Sequence, residues 1–94
     1  MLNPQKKQMI KLVEVAHNRY SDQFHLNEII VNSAHIVSIR SDQETAGIHA
    51  KGLLPEGLHD AQQFSKVTFT NGKEIVAVGT PEMIGKKAKN ILHG

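Results

Sequence analysis

Cysteine and tryptophan are absent from this 94-residue chain, and its aromatic residues are three phenylalanines and one tyrosine. Without cysteine there is no disulfide framework and no thiolate chemistry, which fits a reducing, cytoplasmic setting. The scarcity of aromatic rings leaves no stacking platform for single-stranded nucleic acid. No apolar run approaches the roughly 20 residues that span a bilayer, and the amino terminus shows no signal-peptide core, so a soluble, unexported protein is expected. Neither sign of charge dominates: eleven Lys and Arg stand against nine Asp and Glu, for a net +2. That balance announces neither a polyanion binder nor an acidic mimic. The length suits a single domain at 1–94, near the size at which oligomerisation often supplies extra burial.

What is present is concentrated in residues 66–82, KVTFTNGKEIVAVGTPE. Asn71-Gly72 suits a two-residue type I′ turn, because both residue types tolerate positive φ. That loop length sets the register: Thr70 faces Lys73, Phe69 faces Glu74, Thr68 faces Ile75, Val67 faces Val76 and Ser65 faces Val78. One face of the hairpin then holds Val67, Phe69, Val76 and Val78, with Glu74 as its misfit. The other holds Lys66, Thr68, Thr70, Lys73, Ile75 and Ala77. After Gly79 the period changes. Thr80 is a candidate N-cap, Pro81 suits the first helical position and Glu82 complements the helix dipole. Met83, Ile84, Ala88, Ile91 and Leu92 recur at helical spacing, with Lys86, Lys87 and Lys89 flanking them.

Upstream, MLNPQKKQ at 1–8 reads as a polar lead-in. Asn3-Pro4 could instead cap a helix over residues 4–19, with Met9, Val13, Ala16 and Tyr20 on one face; the β-branched run MIKLVEV favours a strand. HNRYSDQ then connects it to a returning strand in FHLNEIIVN, Asn32-Ser33-Ala34 turns the chain, and residues 35–41 form a third strand with Val37 and Ile39 opposite Ile36, Ser38 and Arg40. Residues 41–65 carry Gly47, Gly52, Pro55 and Gly57, leaving room for one helical turn near Leu58–Phe64. Loops of this length are usually functional or disordered, and Ile48, Leu53, Leu54, Leu58 and Phe64 imply that this one packs on something. The expectation is an α+β domain: an antiparallel sheet of four to five strands, a C-terminal helix and a long insertion between strands 3 and 4.

The stretches VNSAHIVSI at 31–39 and VTFTNGKEIVAV at 67–78, followed by TPEMI, resemble the FlbD/SwrD family of small flagellum-associated proteins. Met9-Ile10-Lys11-Leu12 would be that family's opening strand, and the resemblance implies a strand at 9–15. The same plan is similar to that of many small bacterial and phage proteins, so phage or mobile-element origin is an expectation. Val31, Asn32, His35, Ile36 and Ile39 also resemble the strand of a LytTR DNA-binding domain that precedes an N-G hairpin and a terminal helix. The first half of such a domain has no counterpart here, and the 41–65 insertion replaces a short connection.

Six histidines raise the question of a metal, but His17, His25, His35, His49, His59 and His93 lack ligand spacing, so no metal and no cofactor are expected. His59-Asp60 has no accompanying nucleophile or phosphate loop, so no enzyme is expected. The insertion brings His49, Lys51 and His59 near Arg40 and Lys66, where a basic cluster could hold an anionic, nucleotide-like ligand. Two partly apolar sheet faces need two covers. The C-terminal helix supplies one, and the other must meet the insertion or a neighbouring chain. Ile36, Ile75 and Ala77 are therefore candidate oligomer contacts. The reading is a non-enzymatic regulatory or inhibitory module, a homo-oligomer that binds a protein partner or small anionic ligand. The alternative is a nucleic-acid-binding regulator using Arg40, Lys66 and Lys86–Lys89.

Overall fold

A computed structural model describes residues 8–93, with side chains to Ala88. All of the expected lead-in except Gln8, and the side chains of Lys89, Ile91, Leu92 and His93, lie outside the described residues. The chain forms β1 (Met9–Asn18), β2 (Gln23–Asn32), a 3₁₀ turn at Ser33–His35, β3 (Ile36–Ser41), α1 (Gln43–Ala50), β4 (Phe64–Phe69), β5 (Glu74–Val78) and α2 (Pro81–His93). The strands make one antiparallel sheet in the order β2-β1-β5-β4-β3. Residues 9–18 are thus strand rather than helix, and the expected α+β architecture with a C-terminal helix is present.

Local chemistry explains the joints. Asn18 Oδ1 accepts from the backbone N–H groups of Tyr20 and Ser21 at 2.9 and 3.3 Å, and Asp22 adopts a φ of 56°, which closes the β1–β2 hairpin. Short Asx side chains satisfy turn amides and tolerate the left-handed region, so both residues suit their places. At α2, Thr80 Oγ1 accepts from Met83 N at 3.1 Å, as expected of an N-cap.

The β4–β5 hairpin departs from expectation by one residue. Gly72 N donates to Phe69 O at 2.9 Å and Phe69 N donates to Lys73 O at 2.8 Å, so Thr70-Asn71-Gly72 form a three-residue loop. Gly72 alone takes a positive φ, 85°, whereas a type I′ turn would also need one at Asn71. Val67 consequently faces Ile75, Thr68 faces Glu74 and Ser65 faces Ala77. A slip of one residue exchanges the faces of one strand relative to the other. Ile75 and Ala77 therefore join Val67 and Phe69, while Val76 and Val78 turn to the opposite side with Lys66.

A second irregularity lies in β3, where the register to β4 shifts between Ile36 and Ser38. The bulge turns Val37 out to solvent, 63% exposed, and puts Ile36 and Ile39 on the same face rather than on opposite ones.

Two cores result, one on each side of the sheet. Under α2, Ile10, Leu12, Val67, Ala77 and Ile84 are buried, with Ile29, Val31, Ile36, Ile39, Phe69 and Ile75 packed around them. Met83, expected in the apolar stripe of α2, is exposed, because only Ile84 of the two adjacent residues points at the sheet. On the other side Val15, Leu54 and Phe64 are buried, with Phe24, Leu26, Ala46, Ile48, Leu58, Val76 and Val78 against them. Each fully buried aliphatic or aromatic side chain contributes roughly 1.5–3 kcal/mol of transfer free energy.

The second face is thus covered by the chain's own 41–65 segment. Within it the helix lies at Gln43–Ala50, earlier than the expected turn near Leu58–Phe64, and Phe64 opens β4 instead. Asp42 caps the helix: its Oδ1 accepts from Glu44 N and Thr45 N at 3.1 and 3.3 Å, and its Oδ2 from Thr45 Oγ1 at 2.7 Å.

Candidate functional site

The cover over the second core is incomplete. Between α1, the turn end of the β1–β2 hairpin and β5 lies a cleft of about 430 Å³. Its apolar lining is Val15, Phe24, Ile48 and Val76, and its polar lining includes His17, Glu44, Lys66 and Glu74. Glu44 comes from α1, and the others arrive by strand register. His17 lies opposite Phe24 on the β1–β2 ladder, and Lys66 lies opposite Val76 on the β4–β5 ladder. Cross-strand partners share a face, so these side chains converge above one patch of sheet.

The charges around the cleft are coupled. Glu74 Oε2 accepts from Arg40 Nη2 at 3.4 Å and from Thr68 Oγ1 at 3.2 Å, while Lys66 Nζ stands 3.9 Å from Glu74 Oε1. One carboxylate thus serves two cations. Lys66 is the better sheltered cation, its side chain one-third exposed against two-thirds for Arg40. Across the opening, His17 Nε2 donates to Asp22 Oδ1 at 2.7 Å, and its ring stacks on Phe24 with centroids 4.5 Å apart. Asp42 also borders the cleft, but its oxygens are spent on the α1 cap. Apolar walls beside a lysine suit a ligand that joins a hydrophobic body to an acidic group.

The five expected ligand-binding residues do not form one cluster. Arg40 and Lys66 are direct cross-strand partners joined through Glu74. His49 and His59 meet elsewhere: His49 Nε2 donates to His59 O at 2.6 Å, and the His49 ring packs edge-on to Phe64 with centroids 5.7 Å apart. These contacts pin the loop after α1 to the second core. Lys51 stands at the C-cap of α1 with an exposed side chain.

The three expected oligomer contacts are corrected as well. Ala77 is 0% exposed, and Ile36 and Ile75 are partly buried against the core beneath α2, so the set does not form an open apolar face. The reason is the turn: a three-residue loop sends Ile75 and Ala77 inward, and the β3 bulge does the same for Ile36.

Val15, Phe24, Ile48, Glu44 and Glu74 were not anticipated as site residues. Glu74 carried a signal, since it was the misfit of the apolar face in a two-residue-loop register. Asp42 carried another, a preferred N-cap residue with the acidic Glu44 two residues later in the first turn, which marks a helix start. Among the described residues no group of three or more His, Cys, Asp or Glu is placed to hold a metal ion. No described helix is long and apolar enough to cross a membrane.

No family model, curated protein or solved structure matches this chain.

Proposed function

We propose that this chain is a small non-enzymatic binding module, regulatory or inhibitory in role, whose recognition site is the cleft beside α1. It takes a small anionic ligand, or an acidic protein segment, that also offers an apolar group. The observation that carries this reading is the placement of Lys66, half-buried, at the edge of a cleft walled by Val15, Phe24, Ile48 and Val76. A partly desolvated ammonium binds an acidic group more strongly than a surface lysine does, and the apolar walls supply area. The polar groups nearby support binding over catalysis, because His17, Asp42 and Glu74 are each held by an internal partner. The nucleic-acid alternative has less support: a net charge of +2 and four aromatic residues leave neither the row of cations that tracks a phosphate backbone nor a stacking platform.

A thermal-shift screen of nucleotides, aromatic and aliphatic carboxylates and acidic peptides tests the proposal. A ligand at about 100 times its dissociation constant stabilises the folded state by about 2.7 kcal/mol. The expected result is an upshift that Lys66→Ala abolishes and Lys51→Ala leaves intact. An upshift lost with Lys51→Ala and kept with Lys66→Ala counts against the cleft.

A further inference from the structure

The two edges of the described sheet are β2 and β3, and they are finished differently. β3 is six residues long and bulged at Val37. β2 is ten residues long and keeps an unbroken register with β1, from Met9 opposite Asn32 to Asn18 opposite Gln23. Natural edges are kept from pairing by short length, bulges, proline or charged side chains, lysine above all. Of these β2 has only one charge, Glu28, and its carboxylate lies 3.8 Å from Lys11 Nζ. Beside it Ile30 is 63% exposed and Met9 44% exposed, on the sheet face that Phe24 and Leu26 share.

The ladder also fixes which backbone groups β2 offers. Ser33 N donates to Gln8 O at 2.7 Å, and hydrogen-bonded pairs alternate along an antiparallel ladder. His25, Asn27, Ile29 and Val31 therefore bond inward to β1. The N–H and C=O groups of Phe24, Leu26, Glu28 and Ile30 point away from the sheet.

We propose that β2 pairs antiparallel with β2 of a second copy about a two-fold axis at Asn27, joining two chains into one continuous sheet. Outward-pointing residues must meet outward-pointing residues, so only registers that pair even positions with even positions are allowed. Two of these give the longest ladders. One is centred on Glu28 and sets that carboxylate directly against its copy, which is destabilising. The other is centred on Asn27. It places Phe24 against Ile30 of the second copy, Leu26 against Glu28, and His25 against Ile29. The exposed Ile30 is then covered by Phe24, and no like charges oppose each other. The arrangement is isologous and closes on itself. It shares Phe24 with the cleft but does not depend on that reading, since its ladder is made by backbone groups and Lys66 takes no part in it. One added ladder falls at the small end of stable interfaces, below about 1,200 Å², so weak association is expected, on the order of 10–100 μM.

The absence of native cysteine makes the register directly testable. Asn27 would face its copy as a non-hydrogen-bonded pair, where Cα atoms lie about 4.5 Å apart, inside the range for a disulfide. Asn27→Cys should form a disulfide dimer under mild oxidation at 100 μM. Ile29→Cys alone should stay monomeric on denaturing gels, and mixing it with His25→Cys should give the mixed dimer. Ile30→Lys, at an exposed position that leaves the fold intact by circular dichroism, should abolish the concentration-dependent rise in mass seen by sedimentation. A monomer across 10–300 μM overturns the proposal. So does a dimer in which Ile29→Cys cross-links to itself while Asn27→Cys does not.

Discussion

Glu74 shows how much a single position can report. With a two-residue loop it stands alone on an apolar face; with the three-residue loop it stands beside Arg40, Lys66 and Thr68, where its charge has partners. The Asn-Gly dipeptide is compatible with both loops, and both alternating sets, Ile75/Ala77 and Val76/Val78, are apolar. Local pattern therefore could not choose the register, while the one charged residue among them could. The same slip changes what a mutation at Ile75 does. Ile75→Glu places a carboxylate against the core beneath α2 and is expected to cost about 2–4 kcal/mol. For a domain of this size each kcal/mol corresponds to about 4–8 °C in melting temperature. Thermal unfolding followed by circular dichroism should show that loss, with the mass of the folded fraction unchanged from the parent at equal concentration.

At the scale of elements, the strands and α2 were legible because each carries its own signal: β-branched runs, turn residues, and the Thr80-Pro81 start. α1 was not. It has only eight residues, includes Gly47, and its Ala46 and Ile48 pack on the second core without making a regular apolar stripe. Its existence depends on the Asp42 cap and on tertiary cover, both easily lost among the glycines of 41–65. The need for two covers, by contrast, could be inferred from apolar residues on both faces, and the insertion is what meets that need. Leu54 is the residue through which the loop after α1 reaches the second core. Leu54→Ala should cost about 2–5 kcal/mol, the range for large-to-small core changes. Hydrogen exchange should accelerate first in Gln43–Ala50, while amides paired between β1 and β2 keep their protection near Ile10 and Leu12.

On the scale of the whole molecule, the described chain is elongated, 49 × 27 × 20 Å, with α2 on one face of the sheet and α1 with its loop on the other. The cleft was not legible as a site because it draws on β1, β2, α1, β4 and β5 at once, and only the true register brings Lys66 and Val76 to the same face as Val15. Sequence distance grouped Arg40 with His49 and His59; folding groups Arg40 with Glu74 instead.

The bulge at Val37 has a consequence for stoichiometry. A sheet with two regular edges can add copies without limit, whereas one with a single regular edge stops when two such edges have met. If β2 edges pair as proposed, the kink at Val37 leaves β3 unable to extend the assembly further. Deleting Val37 would let the pairing of Ile36 with Phe69 run on without interruption into that of Ser38 with Thr68, giving β3 a straight outer border. The expected outcome is a shift from a finite particle to open-ended polymers, visible as thioflavin-positive fibres or unbounded growth in light scattering.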